Sequence, residues 1–346
     1  MKFKDAEIRD QLKNWRKIIR PYQTPDNKKA IWQVLNTFGP LLALWILMYF
    51  SMQWSVLLTL ALAALGGLFT VRVFIIQHDC GHHSFFHNKK VNNVVGFVCS
   101  FFTSIPYKYW AHVHNVHHGH AGQMEMRDWG DIHFLTVEEF RALSPFRKFA
   151  YRVFRSPLML FVGAPFLYLT ISNRIPIFKR DNWINVRWSQ VYNNLAITGV
   201  YVLLCYLLGW KTFLLIQASI VMCFGVVAFW FFYVQHQHEH CYKQWRENWD
   251  YLLASVKGST FYRLPKVLQW FSGNIGFHHI HHLSPRIPNY NLEQCARENP
   301  ILQKYVTTIT FRQSLACVFN KLWDEQQQKM ISFQEFYHLE RIRLSM

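Results

Sequence analysis

The chain has 346 residues, 51% hydrophobic and only 16% charged, with 30 Phe, 16 Tyr and 14 Trp. Soluble domains carry nearer a quarter charged residues, so the composition argues against an ordinary water-soluble enzyme and suits a protein with wide membrane interfaces. Seven cysteines without a CxxC pair exclude a zinc knuckle, an iron–sulfur signature and a disulfide framework, and the net charge of +17 is better accounted for by membrane topology than by a nucleic-acid partner.

Residues 1–29 are polar and carry nine Lys or Arg. The first apolar run starts too late for a cleavable signal. Residues 31–52 are then almost uncharged, with Pro40 inside, and Trp54 to Val71 is a second uncharged run. A span needs about 20 mostly apolar residues, so both read as transmembrane helices. Ser51-Met52-Gln53 makes their hairpin turn. Arg72 can snorkel, and the helix is expected to continue past it and lift His78 above the bilayer. Val91 to Ile105 is short, and Ser156 to Ile171 is interrupted by Gly163 and Pro165; both read as interfacial or re-entrant helices. Val191 to Leu208 and Thr212 to Val234 form a second hairpin around Gly209-Trp210-Lys211 and run straight into His236.

All Lys and Arg except Arg72 and Lys211, 35 of 37, lie in residues 1–29, 78–190 and 235–346. The positive-inside bias puts these three segments on the cytoplasmic side. The expected fold is an all-α integral membrane protein, a single domain over 1–346. Its four transmembrane helices form two hairpins, with residues 31–77 carrying the first and 191–234 the second. A helical cytosolic cap carries a histidine-rich di-metal site.

Seventeen of the 18 histidines lie in residues 78–133 and 236–282. Their spacing repeats as His78-Asp-Cys-Gly-His82, His114-Asn-Val-His117-His118 and His278-His279-Ile-His281-His282. Neighbours on one helix face are three or four residues apart, so each cluster can aim several imidazoles at one point. Imidazole is the commonest nitrogen ligand of transition metals. His78, His82, His114, His117, His118, His278, His281 and His282 are too many for one octahedral ion. Asp79, Asp128, Asp131 and Asn274 are candidate partners for their outer ring nitrogens. A histidine-rich metal transporter would place histidines within the bilayer; none lies inside the four spans.

These three clusters resemble the histidine boxes of membrane fatty acid desaturases. The run Gly273-Asn274-Ile-Gly276-Phe-His278-His279-Ile-His281-His282-Leu-Ser-Pro285-Arg286-Ile-Pro288-Asn289-Tyr290 is especially similar to the bacterial acyl-lipid branch. The resemblance implies a non-haem di-iron centre and O2 as co-substrate. It implies a membrane-lipid acyl substrate and electrons from an external ferredoxin or cytochrome b5, because no fused donor motif is visible. It implies a bacterial inner-membrane location with a cytoplasmic active site. It also implies further ligands after the fourth helix, here His236 first and His240 second. The third box begins with His rather than Gln, unlike the front-end branch, and three residues separate the histidines of the first box, fewer than in the acyl-CoA branch. Box spacing leaves a membrane hydroxylase or ketolase of lipids, alkanes or carotenoids open, since that chemistry shares its first step with desaturation.

Overall fold

In the computed structural model, which describes residues 4–177 and 181–345, the first two uncharged runs are the helices Asn27–Ser51 and Val56–Gly81. Both starts are capped. The Asp26 carboxylate accepts from the amides of Lys28 and Lys29, and the Ser55 hydroxyl from that of Leu58. These bonds satisfy N–H groups that a helix cannot pair within itself. The hydroxyls of Ser51 and Thr59, 2.7 Å apart, close the turn.

The second hairpin is Ile184–Leu208 and Trp210–His236. Its turn is Gly209 at φ 82°, a left-handed conformation open to glycine. The third long helix starts before its apolar run because its polar residues find partners inside. Gln190 donates to the Asn173 carbonyl at 2.9 Å and Asn193 to Ser100 Oγ at 2.8 Å.

All four helices are long and apolar enough to cross a membrane. The second and fourth form the middle of the bundle. A Cβ on Gly67 would come within 2.5 Å of Cys223 Cβ, so their backbones touch through a small residue, as helices do where no water drives association. The third is peripheral, with only 11% of its apolar window buried. Two shorter apolar stretches accompany the bundle. Lys89–Thr103 leaves Val91, Val94, Phe97 and Val98 exposed, and Pro145–Phe154 joins Met159–Arg174 at a 59° bend.

Short strands join the helices of the cap. Thr260–Arg263 pairs parallel with Thr307–Thr310, and Leu322–Asp324 pairs parallel with Leu135–Thr136 and antiparallel with Lys329–Ile331. Strands of two to four residues are too short to show a period in sequence, although Thr307-Thr-Ile-Thr310 has the β-branched content of a strand.

The N-terminal segment folds back under the cap. Ile8, Leu12, Trp15 and Ile19 share one core with Leu253, Ile280, Leu283 and Leu292. Asp5 pairs with Lys257 at 2.7 Å and Arg9 with Asp250 at 3.1 Å, and the Tyr22 hydroxyl donates to Glu298 at 2.6 Å.

Candidate metal centre

Three helix ends and one short helix carry the histidines. The second long helix runs unbroken to Gly81, with His78 in its last turn and His82 as its C-cap. The helix Tyr107–His120 carries the next cluster. The Tyr107 amide donates to Asn193 Oδ1 at 2.8 Å and its hydroxyl to the Cys80 carbonyl at 2.7 Å, which fixes this helix against the end of the second. The six-residue helix His278–Leu283 carries the third cluster. The hydroxyls of Tyr251 and Ser255 donate to the His282 carbonyl at 2.7 and 3.1 Å. Gln235, beside His236 at the end of the fourth long helix, donates to the Ile275 carbonyl at 2.9 Å.

Nine imidazoles meet there in two sets. His78, His82, His114, His118 and His281 each place a ring nitrogen within 4.8 Å of the others, and so do His117, His236 and His282. His278 joins the second set, its Nε2 2.9 Å from that of His236 and 3.2 Å from that of His282. His118 Nε2 lies 3.0 Å from the Nε2 of both His114 and His281. A ring nitrogen has one proton or one lone pair, so His118 Nε2 cannot satisfy both neighbours by hydrogen bonding. A cation can. Nitrogens bound side by side on one ion at about 2.1 Å sit about 3 Å apart, so the residues present fit two bound metal ions.

Electrostatics agree. Burial, followed by neighbouring rings, holds His82, His114, His118, His278, His281 and His282 well below the ordinary imidazole range. Burial lowers His117 as well, against the opposing charge of Asp131. Neutral imidazole is the form that binds a metal. Asp79 orients one ring: its Oδ1 lies 2.9 Å from His78 Nδ1. Its Oδ2 accepts from the amide and the side chain of Asn289 at 2.6 and 2.9 Å.

A cavity of about 370 Å³ reaches this cluster, with His78, His114 and His278 in its wall. The rest is mainly apolar and includes Val71, Phe74, Leu169, Phe224, Gly225 and Phe229. Trp110 also borders it and stacks on His114 at 4.5 Å. The cavity is thus an apolar space that ends on a nitrogen-rich cluster.

The sequence model of the fatty acid desaturase family matches residues 52–313. The chain belongs to that family. It is 42% identical over 335 residues to a fatty acid desaturase of Bacillus subtilis (strain 168), covering 97% of this chain and 94% of the relative. It is 28% identical over 235 residues to the sn-1 oleoyl-lipid 12-desaturase of Picosynechococcus sp., covering 64% and 63%. It is 29% identical over 264 residues to the chloroplastic sn-2 acyl-lipid omega-3 desaturase (ferredoxin) of Helianthus annuus, covering 70% and 56%.

Of the ten ring ligands expected for this desaturase, the structure brings nine together and leaves His240 out. The fourth helix ends at His236, so the i, i+4 relation that would align His240 does not exist. Its exposed side chain lies beside Glu239 instead. Asp79 meets a ring in the sets. Asp128 does not, because its Oδ1 lies 2.6 Å from Nδ1 of His133, outside both sets. Asp131 borders the cavity and accepts from the Ile132 amide at 2.7 Å. Asn274 holds the turn before the third cluster, its φ at 60° and its side chain 3.4 Å from the Asn289 carbonyl. Proximity to a box along the chain is not proximity in space. Sequence reasoning missed Asn289 as the anchor of Asp79, although it lies inside the quoted run. It also missed Asn115, whose Oδ1 is 2.8 Å from His82 Nδ1. Among the remaining histidines, His279 is buried against Gln303 at 3.1 Å, and His112 and His120 face carbonyls of their own helix.

Proposed function

We propose that this protein is an oxygen-dependent acyl-lipid desaturase that introduces a cis double bond into the chains of membrane glycerolipids. The observation that carries the reading is the meeting of nine imidazoles with an apolar cavity whose wall includes three of them. Attack on an unactivated methylene requires cofactor chemistry. Structural and hydrolytic zinc sites use three or four protein ligands, whereas nine nitrogens in two sets suit two six-coordinate irons. His78, His82, His114, His118 and His281 would hold one ion, and His117, His236, His278 and His282 the other. With O2 and two electrons from an external carrier, the bound irons would supply the oxidant that removes two hydrogens.

The chain's own residues do the rest. Phe224, Phe229 and Leu169 clasp the hydrocarbon and keep water out of the cavity. Asp79 fixes the His78 ring by its Nδ1, and Asn289 fixes Asp79, so the nitrogen aimed at the ion keeps its direction. The Trp110 ring holds the plane of His114 where the cavity meets the five-histidine set. The distribution of Lys and Arg favours a cytoplasmic centre with both termini on that side. Names of relatives that specify oleoyl-lipid and acyl-lipid substrates, one with ferredoxin, support a lipid-linked chain and an iron–sulfur donor.

Expression in a host without polyunsaturated lipids tests this. Mass spectrometry of its glycerolipids should show a new cis double bond, and iron analysis about two irons per chain. Hydroxylated products alone, under oxygen and with a competent donor, would overturn desaturation.

A further inference from the structure

One ring of the nine is not enclosed. Eight are buried, and His82 is half-buried. Its Nε2 faces inward without a protein partner, while its Nδ1 meets Asn115, which is exposed. A ring edge and a single hydrogen bond therefore separate the five-histidine set from solvent. The cavity approaches the cluster from elsewhere, through His78, His114 and His278 and not through His82.

The surface around this edge is basic. His83 lies within electrostatic reach of Lys89 and His112, and His112 sits one turn from Lys108. Lys89, Lys90, Lys108, His83 and His112 are all exposed. The chain has no Asp or Glu between Asp79 and Glu125, so neither the helix end that bears His82 nor the helix that bears Asn115 contributes a negative charge here. Such a patch attracts an acidic protein and orients it on approach.

We propose that the His82–Asn115 edge and its collar of Lys89, Lys90 and Lys108 form the docking surface for an acidic one-electron carrier of the ferredoxin class, and that its electrons reach the centre through His82. The inference rests on the desaturase reading. Each reduced iron–sulfur carrier yields one electron. Two carriers per turnover, two protons, one O2 and the two hydrogens with their two electrons from –CH2–CH2– balance to –CH=CH– and two waters. Asn115 is a positioning residue that holds the His82 ring at the point of contact.

The test uses the purified, iron-loaded full chain in detergent and an acidic [2Fe–2S] ferredoxin as probe. Binding is measured at low and at moderate salt, and reoxidation of reduced ferredoxin is followed in a single turnover. The triple variant K89E/K90E/K108E should weaken binding at least about tenfold at low salt and flatten its salt dependence. R147E/R152E/R312E, an equal charge change at exposed positions elsewhere, should leave affinity within about twofold. N115L should keep the affinity and slow reoxidation about tenfold or more. Equal loss in both triple variants would show a diffuse field and overturn the surface. Unchanged binding in K89E/K90E/K108E would overturn it too, and N115L with wild-type reoxidation would overturn the route through His82. Wild-type protein that binds no ferredoxin yet desaturates with a chemical reductant would sink this proposal and leave the desaturase reading standing. Protein that binds ferredoxin through this surface but makes no double bond would overturn the desaturase reading and the electron route that rests on it, and leave only the docking surface.

Discussion

His114 and His118 face the five-histidine set, while His117, on the same helix, faces the other. The third cluster divides likewise: His281 joins the five, and His278 and His282 join the four. The two sets are thus not one box each. Helix geometry explains the split. Residues four apart differ by about 40° around the axis, and a residue three along lies about 60° the other way. The i, i+4 pairs 78/82, 114/118 and 278/282 each stay together, and the i+3 members 117 and 281 cross over. A motif of the form HxxHH therefore lets one helix contribute rings to both sets.

His118→Ala should have the largest effect. That ring touches His114 and His281 in its own set and stacks on His282 of the other at 4.3 Å. Desaturation should fall to background, and metal analysis should show the five-histidine ion lost and the other weakened. His236→Ala should act on one set alone. Metal content should drop from about two ions to about one, with activity lost. Equal loss of both ions would mean that the sets are one unit.

Asp79→Asn keeps every ligand and removes only the charge behind His78. A 10–100-fold loss of activity or metal affinity is expected, as for other partners that orient ligands, and Asn289→Ala should follow it more weakly. Acidification should act on both sets together. The rings of His82, His114, His117, His118, His278, His281 and His282 are held below their ordinary value, near 6.5 when unfolded. Below that pH the unfolded chain binds more protons than the folded one, so stability falls as pH falls. Metal-stripped protein should melt several degrees lower at pH 5.5 than at pH 7.5 in a fluorescence scan, and added metal should raise both melting points without narrowing the gap, because protons compete with it for the rings at the lower pH. Smallest of all is His240→Ala, which should leave activity within about twofold; a large loss would put a tenth ring back in the centre.

The bundle and the convergence of nine rings were legible for one reason. Long uncharged runs and i, i+4 pairs are signals local to a single helix, and local geometry decides them. His240 failed because helix continuity was assumed past Gln237, where no glycine or proline marks the end. Asp128 failed because its loop turns the carboxylate toward His133, which only the tertiary path reveals. Asn289 was invisible as a partner because it meets Asp79 across 210 residues of chain. The start of the third long helix was misplaced because buried Gln190 and Asn193 look polar until Asn173 and Ser100 are beside them.

The N-terminal strap has a consequence for biosynthesis. Arg9 finds Asp250 across 241 positions, and Tyr22 finds Glu298 across 276. A ribosome adding about 5–20 residues per second needs roughly 12–50 s to make the first of those partners. Throughout that interval Ile8, Leu12 and Ile19 have no core to join, because Ile280, Leu283 and Leu292 do not yet exist. This early segment is therefore among the last to fold. A nascent chain that stalls before Asp250 leaves a sticky amphipathic tail exposed beside the membrane, where chaperones and proteases would find it.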